Sequence, residues 1–109
     1  MKREEIESLY DAMLALDDRF TRKGKSMPYT SVNGHMFSFI TKEGTFVAVR
    51  LPKDAQEAFM KKYDTGPVIQ YGATMKGYVE LPPKLLRDTK KAYEYLRQSY
   101  DYASSLPPK

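Results

Sequence analysis

Residues 70–83 read QYGATMKGYVELPP, and after Lys84 the chain continues as LLRDTKKAYEYLRQSYDYASSL, residues 85–106. The first segment reads as strand, connection, strand and helix start. Pro67 to Tyr71 and Gly77 to Leu81 are the two strands, and Gly72-Ala73-Thr74-Met75-Lys76 is the expected loop between them. Pro82-Pro83 ends the second strand and opens a helix, because proline lacks the N–H a ladder needs and holds φ near its helical value. Beyond it Leu85, Leu86, Thr89, Ala92, Tyr93, Leu96, Tyr100 and Ala103 recur at the spacing of one helical face. Asp88 and Thr89 are both good caps, so the stretch divides into a short helix and a long one. Gly77 is expected to serve either a close backbone approach or torsions that side-chain-bearing residues avoid.

Upstream the same reasoning orders the rest. Ile6, Leu9, Tyr10, Met13, Leu14 and Phe20 predict a first helix from Lys2 to Phe20, with Glu4, Glu5 and Glu7 near its start and Arg19 near its end, both favourable to the helix dipole. TRKGKSMP, residues 21–28, is basic and aperiodic and reads as a loop. Tyr29 to Val32 and His35 to Ile40 flank Asn33-Gly34, the dipeptide best suited to a two-residue hairpin turn. Simple alternation in the second strand puts Met36, Ser38 and Ile40 on one face and His35, Phe37 and Phe39 on the other. Lys42-Glu43-Gly44 suits a three-residue hairpin with Gly44 left-handed, and Thr45 to Leu51 forms the third strand. Pro52 and Asp54 start a second helix ending near Tyr63, with Glu57 in capping-box spacing and Ala55, Ala58, Phe59 and Tyr63 turned inward. The expected architecture is one α+β domain over residues 1–109. Its antiparallel sheet has about five strands, and an N-terminal helix, one inserted helix and C-terminal helices pack on it.

Composition narrows the function classes. A chain of 109 residues with 41% hydrophobic and 29% charged content, nine Tyr and five Phe can bury one core. It has no Cys, which excludes disulfides and thiolate chemistry. No apolar run suits a secretion signal or a membrane span, so a cytoplasmic location and no membrane partner are expected. Net charge is +4, yet residues 1–18 hold two basic and six acidic side chains while residues 19–109 hold sixteen basic and eight acidic. That polarity can concentrate polyanions, although a mildly basic soluble surface has the same composition.

YTSVNGHMFSFITKEGTFVAVRL, PKDAQEAFMKKY, MKGYVELP and the helix after it together resemble the N-terminal domain of TfoX-type proteins, a family related in fold to the YjbR/MmcQ proteins. The resemblance covers nearly the whole chain in element order, and MKGYVELP is its most specific piece. It implies a compact YjbR-like α+β domain, as in a bacterial regulator, whose molecular role is poorly defined; from the residues themselves no catalytic side chain and no cofactor are expected. Competence regulation and DNA contact belong to what the family implies. The chain departs from the family where RxMFGGxG usually follows the first helix. It has Lys25-Ser26-Met27-Pro28-Tyr29 there, with Met27 and Tyr29 corresponding, and the resemblance does not extend to the second half of full competence regulators.

Candidate sites are few. His35 is the only imidazole, and with no Cys and no second His it lacks the company a transition metal or a general base needs, so a solvent-facing strand histidine is expected. An undetected enzyme would have to use His35 and nearby tyrosines. Asp17 and Asp18, read as neighbours on a helix, point about 100° apart and cannot share an ion. Gly72 to Gly77 holds the ingredients of an anion nest without P-loop spacing. Arg22, Lys23 and Lys25 in the loop, with Lys84, Arg87, Lys90, Lys91 and Arg97 on the last helices, are the candidate nucleic-acid contacts. Tyr29, Tyr71, Tyr78, Tyr95 and Tyr102 exceed the needs of a core and either line a groove or subunit contact or pack at the core rim. The partners expected are a protein, a second copy of the chain, or a nucleic acid.

Overall fold

The computed structural model describes residues 2–41 and 46–108. Its elements are α1 (Arg3–Leu14), β1 (Tyr29–Val32), β2 (His35–Ile40), β3 (Val47–Arg50), α2 (Lys53–Tyr63), β4 (Pro67–Gln70), β5 (Ala73–Leu81), α3 (Pro83–Arg87) and α4 (Thr89–Ser105). The fold is α+β, with a five-stranded sheet in the order β1-β2-β3-β5-β4 and every neighbouring pair antiparallel.

Among the described residues two dipeptides close hairpins. Asn33 and Gly34 have φ of 54° and 81°, and Tyr71 and Gly72 have 54° and 73°, the paired positive angles that match the twist of the strands they join. The second turn corrects the expected loop at residues 72–76. Because Tyr71-Gly72 already reverses the chain, Ala73 onward is free to pair, and β5 runs without a break to Leu81. Pro67 pairs with Val79 and Ile69 with Thr74, so Val68 faces four residues of β5 where regular pairing allows one. Gly77 lies in this irregular stretch at φ 92°, the torsion expected of it. The hairpin expected at Lys42-Glu43-Gly44, and Thr45 after it, lie outside the described residues.

The expected alternation in β2 fails at one residue. Thr30 pairs with Ser38 but Ser31 pairs with Met36, so Phe37 is an extra residue, a bulge. The bulge turns Phe37, Ser38 and Ile40 toward the helices and leaves Met36 and Phe39 on the opposite face. The first helix also stops early, at Leu14. Asp17 explains why: its carboxylate accepts the backbone N–H of Arg19, a local bond that competes with helix propagation. Phe20 still reaches the core, carried there by the turn rather than by a helix. Arg19 consequently contributes nothing to the helix end. At α2, Pro52 occupies the cap position without a side-chain bond, so the expected capping box does not form. Ala58 is exposed, and Met60 joins Ala55, Phe59 and Tyr63 against the core.

All four helices bury their apolar residues on one face of the sheet. Ile6, Tyr10, Met13, Phe59, Leu86 and Leu96 pack there with Ile40, Val47, Val49, Val79 and Leu81. Among the described residues the other face carries no helix. On it Phe39, Ala48 and Val68 are buried beneath half-exposed Tyr29, Met36, Met75 and Tyr78.

Candidate functional site

The open sheet face is built by the strands and one loop. Lys23 and Tyr29 exchange backbone hydrogen bonds of 2.8 and 3.0 Å, which close residues 24–28 into a tight turn. Gly24 makes it possible: at φ 80°, a Cβ there would come within 2.4 Å of the Met27 carbonyl. The turn brings Met27, 39% exposed, to a groove of about 340 Å³ that Tyr29, Met36 and Phe39 also line. Tyr78 packs edge-on to Phe39 with centroids 5.3 Å apart and donates its hydroxyl proton to the Met36 carbonyl at 2.6 Å. Burial raises the Tyr78 phenol above its usual pKa, and the charge of Arg50 opposes that rise. Tyr71, at the β4–β5 turn, is 73% exposed, and Ile69 beside it 61%.

At the end of β3 the bulge opens a gap that a helix fills. Ser38 pairs with Val49, so the next rung would join Phe37 to Arg50. There the hydroxyl of Ser99 on α4 donates to the Phe37 carbonyl at 2.6 Å and accepts the Arg50 N–H at 3.0 Å, standing in for the missing rung. The Arg50 guanidinium carbon lies 6.0 Å from the centre of the Tyr78 ring and 5.7 Å from that of Tyr102. Its Nε is buried with no hydrogen-bond partner. Sequence reasoning passed over Arg50 because it sits in an apolar strand, away from the basic clusters.

The eight candidate cations fall into separate groups. Arg22 turns onto α1 and bonds Asp11 at 2.8 Å and Glu7 at 2.9 Å. Arg87 stands 3.9 Å from Glu5. The acidic α1 is thus met by basic side chains from distant sequence, and the charge polarity of the chain is partly cancelled in space. Lys23 donates to the Ser31 hydroxyl at 2.9 Å, and Lys25 lines the groove of the open face. Lys84 and Lys91 meet, with Lys62 of α2, around a second groove of about 480 Å³ that also holds Asp64 and Asp88. Lys90 and Arg97 are exposed on α4, each four residues before an acid, Glu94 and Asp101.

His35 is not the solvent-facing residue expected. It is 7% exposed, and its Nε2 lies 2.7 Å from the Pro107 carbonyl while Nδ1 is buried without a partner. It lines neither of these two grooves. Asp17 lies beyond the helix rather than in it. Its carboxylate accepts from Arg19 at 2.7 Å and from the Tyr93 hydroxyl at 2.7 Å, and the Arg19 bonds hold it well below the usual carboxylate range. Among the described residues, no three His, Cys, Asp or Glu side chains converge as a metal site would require.

The tyrosines divide by role. Tyr10 is fully buried, its hydroxyl 2.7 Å from that of Ser38, which in turn bonds Thr30. Burial pushes its phenol up to about 12. Tyr95 hydrogen-bonds Tyr63 at 2.8 Å beside Phe59, on the helix side, and burial pushes it too up to about 12. Tyr100 packs between Phe20 and Phe37. Only Tyr29, Tyr71, Tyr78 and Tyr102 of the expected surplus belong to the open face or its edge. Compared with family models, curated proteins and solved structures, the chain has no match.

Proposed function

We propose that this chain is a non-enzymatic binding or regulatory domain of the TfoX N-terminal type, bacterial and cytoplasmic, and that its working surface is the open face of the sheet. One observation carries the reading: the helices cover one side of the sheet, and the other presents methionine and tyrosine side chains around a buried Phe39. Methionine adapts to irregular partners, and tyrosine offers contact area with a polar end, so both suit recognition of another protein. Among the described residues no helix is long and apolar enough to cross a membrane.

Position-specific photo-crosslinking in cells tests this. A benzophenone side chain replacing Tyr29 or Tyr71 is expected to trap one discrete protein, and the same group at Arg97 is expected not to. Met36→Lys should abolish the product without unfolding the domain. Equal crosslinking from both sides, or products that are nucleic acid alone, would remove the open face as the working surface. A second reading, association with nucleic acid, is favoured by the meeting of Lys62, Lys84 and Lys91 around one groove.

A further inference from the structure

The two edges of the sheet, β1 and β4, are finished differently. Outside β1, Lys23 exchanges both backbone hydrogen bonds with Tyr29 and reaches the Ser31 hydroxyl with its ammonium at 2.9 Å. A covering loop and a cation close that edge, two of the devices that keep a sheet from pairing further. Along β4 no described residue does the same.

The hydrogen bonds fix which groups β4 offers. Pro67 faces Val79, and the bond beside that pair runs from the Glu80 N–H to the Gly66 carbonyl at 3.0 Å, so the backbone groups of Pro67 itself point away from β5. Its missing N–H therefore costs the β4–β5 ladder nothing. At the other end the Tyr71-Gly72 turn makes Gln70 and Ala73 a bonded pair, which directs the N–H and carbonyl of Ile69 outward as well. No described hydrogen bond outside the ladder reaches Ile69.

Its side chain points to the same conclusion. Ile69 and Tyr71, 61% and 73% exposed, are the two most exposed large apolar side chains among the described residues, and they stand at alternate positions with exposed Pro67. From Thr65 to Met75 the chain has no charged residue, so the edge lacks the Lys or Glu that usually blunts one. Outward backbone groups beside an apolar stripe match another extended strand.

Length and charge select which strand. The row is bounded by Pro67 and by the turn at Tyr71, so a long foreign strand gains little from its remaining residues, whereas a second β4 carries the same bounds. About a two-fold axis at Ile69, each Ile69 N–H donates to the other Ile69 carbonyl, and Pro67 of one copy lies across from Tyr71 of the other. Each chain carries +4, and an uncharged edge lets two of them meet without setting like charges together.

We propose that β4 is a self-association edge that joins two copies of the chain into one ten-stranded sheet, with Ile69 at the two-fold axis. The strand is short, so the dimer is weak. Val68 belongs to the open-face cluster, and pairing at β4 therefore sets the open faces of the two copies side by side without covering either.

Sedimentation equilibrium of the whole chain from about 5 µM to about 1 mM should show the mass rising from one chain toward two. Across that series the Ile69 amide should come to exchange with solvent about threefold or more slowly, while the β1 amides do not change. Ile69→Lys, at an exposed side chain, should keep the fold and hold the mass at one chain throughout, and Met36→Lys on the open face should leave the dimer intact. A mass of one chain at every concentration overturns the proposal. A dimer that survives Ile69→Lys and is lost in Met36→Lys overturns the edge and moves association to the open face. If a blocked peptide of alternating Val and Thr protects the Ile69 amide while the chain stays monomeric, the edge takes a foreign strand and the second copy is overturned. Should Ile69→Lys fail to fold, the mass series and the Ile69 exchange of the unchanged protein decide. A second copy crosslinked from Tyr71 and not from Tyr29 belongs to this edge, which keeps its fate separate from that of the open face as the working surface.

Discussion

Ser99 is a serine on the buried face of a long helix, a position where apolar residues usually sit. Its hydroxyl satisfies two backbone groups that the bulge at Phe37 leaves without a ladder partner. Ser99→Ala keeps helix propensity and nearly keeps volume, but it strands the Arg50 N–H and the Phe37 carbonyl in the interior. At about 1–3 kcal/mol per unsatisfied buried group, with some relaxation, the variant should lose about 2–4 kcal/mol in a urea melt. A loss under about 1 kcal/mol would show that water or a backbone shift replaces the hydroxyl.

Among the elements, the turn after α1 and α4 are joined through one acid. Asp17 binds Arg19 beside it and Tyr93 on α4, and the bond it accepts raises the Tyr93 phenol. A carboxylate whose folded pKa is depressed contributes stability above its unfolded value, near 3.8, and loses it as pH falls toward the folded value. The domain should accordingly weaken as pH drops below about 4, and Asp17→Asn should flatten that part of the profile while lowering stability at neutral pH. An identical acid profile in the variant would mean other carboxylates control the response.

The elements also show what a sequence reveals and hides. Asn33-Gly34 was legible because its torsions are a local property, and so were the proline start and aspartate cap of the last helices. The end of α1 was hidden, since Leu16 continues the apolar spacing while the competing Asp17 bond leaves no mark in the periodicity. Nothing in His35-Met36-Phe37-Ser38-Phe39 signals which residue bulges, because both faces of β2 are apolar. Arg50 and Ser99 are joined across 49 positions of sequence, so neither role is a local property. The grouping of the basic residues was equally a matter of tertiary placement: Arg22 lay in a run that reads as exposed and turns back onto an acidic helix.

At the scale of the whole molecule, a net charge of +4 is spread over several patches. Duplex DNA should therefore be bound weakly at 50 mM salt and released by about 200 mM, as counterion release from few contacts requires. Replacing Lys84 and Lys91 together by Ala should lower the slope of log K against log salt by about 1–2. A complex that persists unchanged across the salt series would point to specific recognition.

The two faces of the sheet divide the labour of β2, β3 and β5 between alternate residues. Phe37, Val49 and Val79 hold the helices, whereas Met36, Ala48 and Tyr78 look away from them. Mutation can rewrite the second set while the first keeps the fold, so over evolutionary time partner choice in this scaffold is free to drift at little cost to folding. Descendants of one ancestor could then share the helix-facing residues and have nothing recognisable in common on the other side.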